Sequence, residues 1–248
     1  IQDAIHAKDG IVFINGDDAI LNKHKSELRH RIITFGLGND NDYFATNIKV
    51  KNGGVDFTVN IKNKGSYDAR LNVLGEHNVR NALVAIAVAE RHGIEVTEAI
   101  KALAGYEGVS MRQQITDVNG VTIIDDSYNA SPDSMKAGID VLCDYNNNGR
   151  KIAILADMLE LGDKSADYHK EVGGYMAEKK IDELILFGTM AANIGDGFNG
   201  SYKLFKKREE INEYLLKNLK SGDAVLFKGS RGMKLNECVD FLKENYNG

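Results

Sequence analysis

The sequence has 248 residues, 43% of them hydrophobic, which is enough for one large domain or two ordinary ones with real cores. Its formal net charge of −5, without an extended basic stretch, argues against a nucleic-acid partner, and no apolar run approaches the roughly 20 residues that span a bilayer. The two cysteines, Cys143 and Cys238, have no metal-ligand spacing and indicate reduced thiols in a cytoplasmic protein, and no His/Cys cluster suggests a metal site.

The first part of the sequence consists mainly of strand and turn patterns. Residues 1–10 read as a piece of amphipathic helix without an initiator methionine, which we interpret as a chain that begins within a domain. The turn Asn52-Gly53-Gly54 predicts a hairpin. Two helices, residues 77–91 and 96–104, each end at a glycine. The predicted strands of this part are residues 11–15, 31–35, 43–50, 55–61 and 70–74.

The pattern changes around residues 106–111, where we predict a boundary between domains 1–107 and 108–248. Asn119-Gly120, between the predicted strands 113–118 and 121–124, is a strong type I′ hairpin signal. Strands and helices then alternate, which is typical of βαβ units and a mostly parallel, doubly wound sheet. The predicted helices are residues 132–144, 165–179, 209–219 and 233–246, with a short piece near Ala191. The predicted strands are residues 151–155, 183–187, 202–205 and 224–227.

The segment IIDDSYNASPDSM, residues 123–135, places two carboxylates where a predicted strand ends and a helix begins. Open α/β sheets bind ligands at the carboxyl ends of their strands, and an aspartate there can accept a hydrogen bond from a ribose hydroxyl. Across the hairpin, Arg112 offers a planar fork for phosphate oxygens. The alternative for the segment is an ordinary Asp-rich turn with Ser131 as helix cap. The alternative for Arg112 and the aspartates is a surface ion pair without function.

A second polar motif opens the helix predicted at residues 77–91. Asn78 and Asn81 lie three residues apart and therefore share one helix face near its amino terminus. Asparagine is mildly unfavourable within a helix, so the pair suggests a polar pocket. The alternative is that Asn78 caps the helix and Asn81 is exposed. His77 by itself is a weak signal.

Two further motifs follow predicted strands. In ADMLELG, residues 156–162, Asp157 and Glu160 reach the same sheet edge, with His169 one turn beyond Ser165. The alternative here is a capped helix with a solvated histidine. In KGSRGMK, residues 228–234, a glycine turn with two cations and a serine leads into a helix. Backbone N–H groups and the helix dipole then point at one place, which predicts an anion site.

In this order, the motifs resemble those of the Mur ligases, and above all of the members that use D-alanyl-D-alanine. The resemblance covers essentially the whole chain, including VFINGDD at residues 12–18, and implies the rear part of a central ATPase domain followed by a Rossmann-like, doubly wound C-terminal domain. Sister ligases carry Tyr-Ala-His after the aspartate, and folylpolyglutamate synthases carry Gly-Ala-His-Asn, where this chain has Ser127-Tyr128-Asn129. The matching segments are GEHNVRNALVAIAVA, Arg112, IIDDSYNASPDSM, DMLELG with Ser165 and His169, and KGSRGMK.

The resemblance implies an ATP-dependent amide ligase of peptidoglycan and cell wall biogenesis, and hence of cell shape and division. The terminal carboxylate of a UDP-N-acetylmuramoyl-tripeptide is phosphorylated, and the amine of D-alanyl-D-alanine displaces the phosphate. By resemblance, the nucleotide is bound by Asn78, by Asn81 at adenine, by Arg112 at the phosphates and by Asp126 at the ribose. The peptide substrates are bound by Asp157, Lys228, Ser230 and Arg231. Further candidates are His77, Tyr128, Asn129, Glu160 and His169.

The sequence departs from the family at one end. It contains no Gly-Lys dipeptide and thus no Walker A loop, and the family's magnesium-binding side chains and carbamylated lysine precede the VFINGDD region. We expect the chain by itself neither to hydrolyse ATP nor to bind it tightly, and magnesium ligands to lie mostly outside it. Ala156 also replaces a glycine common before the Asp-Met pair. Two alternatives are a non-catalytic anion- or peptide-binding module derived from this fold and a Mur-type amide ligase for another amine.

Overall fold

The computed structural model describes residues 10–51 and 53–248. The chain forms two compact units, Ile1–Glu107 and Gly108–Gly248, and each is described by itself. The amphipathic helix predicted at the start of the chain and Asn52 of the predicted hairpin turn lie outside the described residues. Among the residues described, no helix combines the length and the apolar character needed to cross a membrane.

The first unit contains a mixed five-stranded sheet in the order β1-β2-β3-β4-β5. Strands β1 to β3 pair in parallel, whereas β3, β4 and β5 form antiparallel hairpins. Alternating residues of β4, such as Phe57 and Val59, are buried, as the period of a half-buried strand requires. The elements are β1 Ile11–Asn15, α1 Ala19–His24, β2 Arg31–Gly36, β3 Tyr43–Lys51, β4 Gly54–Ile61, β5 Gly65–Leu71, α2 Glu76–Arg91 and α3 Val96–Ala104.

Two elements of the first unit differ from the sequence prediction. The strand predicted at residues 70–74 is wrong, because β5 starts at Gly65 and ends at Leu71. The turn before it places Asn63 at φ 60°, a left-handed conformation that asparagine tolerates, and so makes a tight hairpin with β4. The short helix α1 was not predicted. Its cap, Asp18, accepts hydrogen bonds from the backbone N–H groups of Ile20 and Leu21, each at 2.9 Å.

The second unit contains a six-stranded sheet in the order β10-β9-β8-β11-β7-β6. Only the β6–β7 hairpin is antiparallel among its pairs. The predicted mostly parallel, doubly wound sheet is thus confirmed. Asn119 and Gly120, at φ 49° and 85°, both have the left-handed backbone of a type I′ turn. The strands are β6 Gln114–Val118, β7 Val121–Asp126, β8 Lys151–Ala156, β9 Glu183–Phe187, β10 Lys203–Phe205 and β11 Ala224–Lys228.

Helices flank this sheet, and the central strands β8 and β11 are buried throughout or nearly so. The helix predicted at residues 165–179 ends at Met176, and the one predicted at residues 233–246 begins at Asn236, after a 3₁₀ turn at Arg231–Met233. The carboxyl ends of β7, β8, β9 and β11 meet at one edge of the sheet. The helices are α4 Pro132–Asp144, α5 Ser165–Met176, α6 Ala192–Phe198, α7 Arg208–Asn218 and α8 Asn236–Asn245.

Candidate functional site

A buried ion pair links the two strands at the centre of this edge. Lys228, the last residue of β11, lies in register with Asp126, the last residue of β7. Its Nζ donates to Asp126 Oδ2 at 2.7 Å and to the Asn129 carbonyl oxygen at 3.1 Å. Burial raises the pKa of Asp126, and the neighbouring ammonium opposes that shift. Gly138 of α4 leaves room for the pair, since a Cβ there would lie 2.9 Å from Lys228 Cδ.

Lys228 is buried and bonded within the protein. The side chain is 2% exposed, and its ammonium is engaged by Asp126 and by the turn that follows β7. Lys228 therefore positions Asp126 and the segment up to Asn129. To bind a substrate directly, its ammonium group would have to be exposed to solvent. Its assignment to the peptide substrates stays a prediction, and its contacts are with Asp126, a predicted nucleotide residue, and with Asn129.

The other carboxylate of the pair, Asp125, has a different environment. Its Oδ1 accepts hydrogen bonds from the backbone N–H of Ser127 at 3.1 Å and from the Ser127 hydroxyl at 2.5 Å. Such bonds to the residue two positions ahead close a tight turn. Asp125 thus shapes the loop after β7, and Asp126 carries the charge that faces Lys228.

The loop after β8 is held by hydrogen bonds from three directions. Asp157 Oδ1 accepts from Ala191 N at 2.6 Å and Oδ2 from Thr189 N at 3.1 Å, both in the loop after β9. His169 Nε2 accepts from Met158 N at 2.9 Å, and its Nδ1 donates to the Ser165 carbonyl oxygen at 2.7 Å. Ser230 Oγ accepts from Leu159 N at 2.8 Å.

These bonds assign positioning roles to two predicted site residues. Each carboxylate oxygen of Asp157 accepts a backbone hydrogen bond, and a direct substrate contact by Asp157 stays a prediction. His169 is fully buried, so the alternative of a solvated histidine is wrong. Its Nδ1 must carry the proton because a carbonyl oxygen can only accept. Ala156, in place of the family's glycine, is accommodated by Gly229, where a Cβ would lie 2.6 Å from the Ala156 Cβ.

A pocket of about 260 Å³ opens beside these loops. It carries one anionic and one cationic side chain, Glu160 and Arg231, both of them exposed, together with the Ser230 hydroxyl and the exposed apolar side chain of Leu159. The structure thus places the loops after β7, β8 and β11 around one cavity. The lining residues are Tyr128, Asn129, Leu159, Glu160, Ser230, Arg231 and Gly232.

Two arginines lie near one aromatic ring at the rim of this pocket. The guanidinium carbon of Arg112 is 4.4 Å from the ring centroid of Tyr128, and that of Arg231 is 5.9 Å away. Arg231 also contacts Met111, with Nη1 2.7 Å from Sδ. The predicted phosphate residue and the predicted substrate residue are therefore brought together around Tyr128, which the sequence suggested only as a further candidate.

Gln113 is a site residue that the sequence did not indicate. Its backbone N–H donates to the Asp126 carboxylate, and its side-chain Oε1 is buried without a hydrogen-bond partner. The backbone at Gln113 is left-handed, with φ 53°, as it is at Met111, with φ 60°. A buried acceptor without a donor is costly, so this oxygen suits a ligand hydroxyl or a water molecule. A glutamine at a strand start carries no such signal in sequence.

In the first unit, the polar residues of α2 lie near its amino terminus. Asn78 Nδ2 donates to the Leu74 carbonyl oxygen at 2.7 Å, Asn81 is exposed one turn further on, and His77 is half-buried. Asn81 is the most exposed of these three side chains. The assignment of these three residues to the nucleotide stays a prediction.

Asp17 organises the loops beside α2. It accepts hydrogen bonds from the backbone N–H groups of Leu37 and Gly38 at 2.6 and 3.0 Å, and Arg80 Nε lies 3.3 Å away. Burial would raise the pKa of Asp17, but these hydrogen bonds outweigh burial and hold it below the ordinary value. The VFINGDD motif therefore serves to join β1, β2 and α2.

Comparison with protein families gives two matches. The Mur ligase middle domain model matches residues 4–89, and the model described as Mur ligase, glutamate ligase domain, matches residues 111–231. Curated relatives named UDP-N-acetylmuramoyl-tripeptide–D-alanyl-D-alanine ligase include proteins of Bacillus subtilis, 36% identical, and Escherichia coli, 32% identical. Each alignment covers 96% of this chain and, respectively, 52% and 53% of the relative.

Solved structures agree with these matches. MurF from Acinetobacter baumannii superposes with a TM-score of 0.84 at 29% identity, covering 96% of this chain and 52% of that one. MurF ligase from Thermotoga maritima in complex with ADP gives a TM-score of 0.84 at 25% identity, covering 97% and 55%. The chain thus spans about half the length of the relatives it matches.

Proposed function

The chain belongs to the Mur ligase family, and we propose that it serves in an ATP-dependent ligase that joins D-alanyl-D-alanine to a UDP-N-acetylmuramoyl-tripeptide in peptidoglycan biosynthesis. The curated relatives carry the name of that activity, and the chain spans about half of their length. The activity, its substrates and its partners are therefore proposed for the protein in which this chain works as a part. We also propose a cytoplasmic location, which the two free thiols, Cys143 and Cys238, support.

The observation that supports this function best is the pairing of Arg112 and Arg231 around Tyr128, beside a pocket of small-ligand size. A ligase of this type must gather a nucleotide phosphate, a substrate carboxylate and an attacking amine within a few ångströms. Two guanidinium groups at one rim can bind two anions at once, because each offers several N–H donors in a fixed plane. Positioning and neutralisation of charge are the main contributions a protein makes to phosphoryl transfer.

The proposed reaction has two steps. The tripeptide carboxylate takes the terminal phosphoryl group of ATP, giving an acyl phosphate and ADP. The amine nitrogen of the dipeptide then forms the C–N bond at the acyl carbon, releases a proton, and inorganic phosphate leaves. In this scheme Arg112 stabilises the phosphate oxygens, and Arg231 with the Ser230 hydroxyl binds the carboxylate of the dipeptide.

The residues near Asp126 fit a nucleotide. Gln113 Oε1 is an unpartnered acceptor on the residue whose backbone N–H donates to the Asp126 carboxylate, and the two hydroxyls of a ribose are donors. Magnesium is different, since the described residues contain no group of three or more His, Cys, Asp or Glu side chains that could hold a metal ion. We propose that Mg²⁺ accompanies ATP through ligands outside the described residues.

The test is steady-state kinetics of the complete ligase, with phosphate release measured against each of the three substrates. Phosphate release should require the tripeptide and D-alanyl-D-alanine together. Arg231→Ala should raise the KM for D-alanyl-D-alanine about tenfold or more and the KM for ATP less than twofold, because a charge-assisted hydrogen bond to the dipeptide is lost. Lys234→Ala, an exposed cation three residues further on, is the control and should change neither constant.

Two results would contradict the proposal. Phosphate release with another amine but not with D-alanyl-D-alanine would indicate a Mur-type ligase of different specificity. A larger effect of Arg231→Ala on the KM for ATP would assign the loop after β11 to the nucleotide.

A further inference from the structure

The pocket beside β8 and β11 is lined by charges of both signs. Glu160 lies in the loop after β8 and Arg231 in the loop after β11, and both line the same cavity of about 260 Å³. Most anion sites lack a carboxylate, because it would repel the ligand. A pocket whose lining includes both an anionic and a cationic side chain suits a ligand that itself carries both charges.

Neither charge has an ion-pair partner of opposite sign among the described residues. In the part of the chain that the structure describes, the Glu160 carboxylate makes no hydrogen bond or ion pair. Arg231 contacts the Met111 sulfur and the Tyr128 ring, and it has no acidic partner among the described residues. Two opposite charges that line one pocket without pairing with each other leave both free for a third molecule.

The backbone holds Glu160 in a fixed and unusual position. Its φ is 64°, a left-handed conformation that costs energy for a residue with a side chain and occurs mostly where the structure requires it. The residues before it are anchored, with Met158 N bonded to His169 Nε2 and Leu159 N bonded to Ser230 Oγ. Because Ser230 precedes Arg231, this last bond also ties the loop that carries the carboxylate to the loop that carries the guanidinium.

The rest of the lining matches a short peptide with small side chains. The exposed side chain of Leu159 supplies an apolar wall, and Gly232 keeps that wall close, since a Cβ there would lie 2.9 Å from Leu159 Cδ1. Two residues in extended conformation span about 7 Å, which suits a cavity of this volume. The ammonium and the carboxylate of such a dipeptide lie at its opposite ends, so each can bind a different side chain, Glu160 or Arg231.

We propose that Glu160 binds the ammonium group of the dipeptide whose carboxylate is bound by Arg231, so that the pocket recognises both ends of a zwitterion. This inference rests on the proposed function and adds a specificity-determining residue to it. The role is binding of the amine, separate from the later loss of its proton. A carboxylate at this position would also disfavour dipeptides with acidic side chains.

The test compares D-alanyl-D-alanine with N-acetyl-D-alanyl-D-alanine, which lacks the ammonium, in the complete ligase. The KM of the first and the inhibition constant of the second are measured for the wild type, Glu160→Gln and Glu160→Asp. Glu160→Gln should raise the KM for D-alanyl-D-alanine about tenfold, since one hydrogen-bonded charge is lost. It should change the inhibition constant of the acetylated dipeptide less than twofold. Glu160→Asp, which keeps the charge, should recover part of the loss.

The matched control is Asp163→Asn, which removes an exposed carboxylate from the next turn, outside the pocket lining. It should leave both constants and the KM for ATP unchanged. Equal effects of Glu160→Gln on both dipeptides, or no effect on either, would overturn the inference while leaving the ligase activity intact. Absence of ligation by the wild type would instead overturn the proposed function, and this inference with it. If Glu160→Gln gives no turnover, calorimetric titration of the two dipeptides makes the same comparison.

Discussion

Two identical neighbouring residues, Asp125 and Asp126, illustrate how strongly position decides chemistry at the end of β7. Asp125 accepts two hydrogen bonds from Ser127 and closes a turn, whereas Asp126 pairs with the buried Lys228. The one-residue offset sends the two side chains to opposite faces of the strand. The ion pair between Asp126 and Lys228 is buried. Removal of one partner would therefore leave the other charge buried and uncompensated.

Tyr128 connects the two arginines that we assign to different substrates. An aromatic face attracts a guanidinium group, and each such contact contributes about 0.5–2 kcal/mol, depending on solvent exposure. The ring is 42% exposed, so we place its contribution at the lower end of that range. The main effect of the ring is to hold the two guanidinium groups near each other, since two cations would otherwise repel each other and separate.

Replacement of Tyr128 tests this arrangement. Tyr128→Leu should raise the KM for D-alanyl-D-alanine about two- to fivefold, because Arg231 loses the ring that orients it. Tyr128→Phe keeps the aromatic face and should stay within twofold of the wild type. The measurement is steady-state kinetics of the complete ligase, with kcat and KM reported separately. A Phe variant as impaired as the Leu variant would assign the effect to the phenolic hydroxyl.

At the scale of elements, the carboxyl ends and the amino ends of the parallel strands have different functions. The carboxyl edge carries the pocket and its loops. The opposite edge carries a polar network in which Arg150 donates to Asp223 Oδ2 at 2.6 Å, to Glu183 at 3.0 Å and to the Asn218 carbonyl oxygen at 2.7 Å. This network joins the starts of β8, β9 and β11 and the end of α7. It stabilises the fold at a distance from the site.

The network predicts a specific dependence of stability on pH. Burial would raise the pKa of Asp223, but its hydrogen bonds with Arg150 and with backbone N–H groups outweigh burial and hold it below the ordinary value of 3.8. A carboxyl with a lowered pKa in the folded state stabilises above its unfolded pKa, and that contribution is lost as the pH falls through the folded value. The loss should therefore begin near pH 4 and continue below it.

Asp223→Asn should lower the free energy of unfolding by about 2 kcal/mol at pH 7, since the variant leaves Arg150 without its main partner. The difference from the wild type should shrink as the pH is lowered from 4 toward 2. Urea denaturation of the chain at several pH values measures both effects. Asp240→Asn, at an exposed position of α8, is the control. A difference that stayed constant down to pH 2 would contradict the assigned pKa shift.

At the scale of the whole molecule, the chain divides into the units Ile1–Glu107 and Gly108–Gly248. The sheet of the second unit draws all six of its strands from that unit, and the segment between the units exposes Tyr106 and Val109. Strands paired within one unit, with the central ones buried, provide a core that requires no contribution from the other. We therefore propose that residues 108–248 form an independently stable domain.

Limited proteolysis tests the proposed domain. Chymotrypsin at low concentration should cut first near residues 106–110, because the exposed Tyr106 offers an accessible cleavage site. A product spanning about residues 108–248 should then persist, and mass spectrometry identifies its ends. Degradation of that product before the amino-terminal one would be inconsistent with an independently stable second domain.

The sequence alone determined the parts of this protein that depend on local pattern. The type I′ turn at Asn119-Gly120 needs two left-handed residues, and that dipeptide is well suited to supply them. The alternation of strands and helices beyond residue 120 required a parallel sheet, and a parallel sheet gathers the polar ends of its strands at one edge. The convergence of the SYN, DMLELG and KGSR segments there follows from the parallel topology alone.

Only the tertiary structure decided which side chains meet at that edge. The last strand, β11, inserts between β7 and β8, and this long-range pairing brings Lys228 to Asp126 across 102 residues of sequence. The same insertion ties Ser230 to Leu159 and brings Glu160 and Arg231 to one pocket. Burial and hydrogen-bond partners depend on strand order and register, which local sequence does not encode. For this reason the contacts of Lys228, His169 and Asp157 within the protein could not be predicted, and the direct ligand contacts that their residue types suggest stay a prediction.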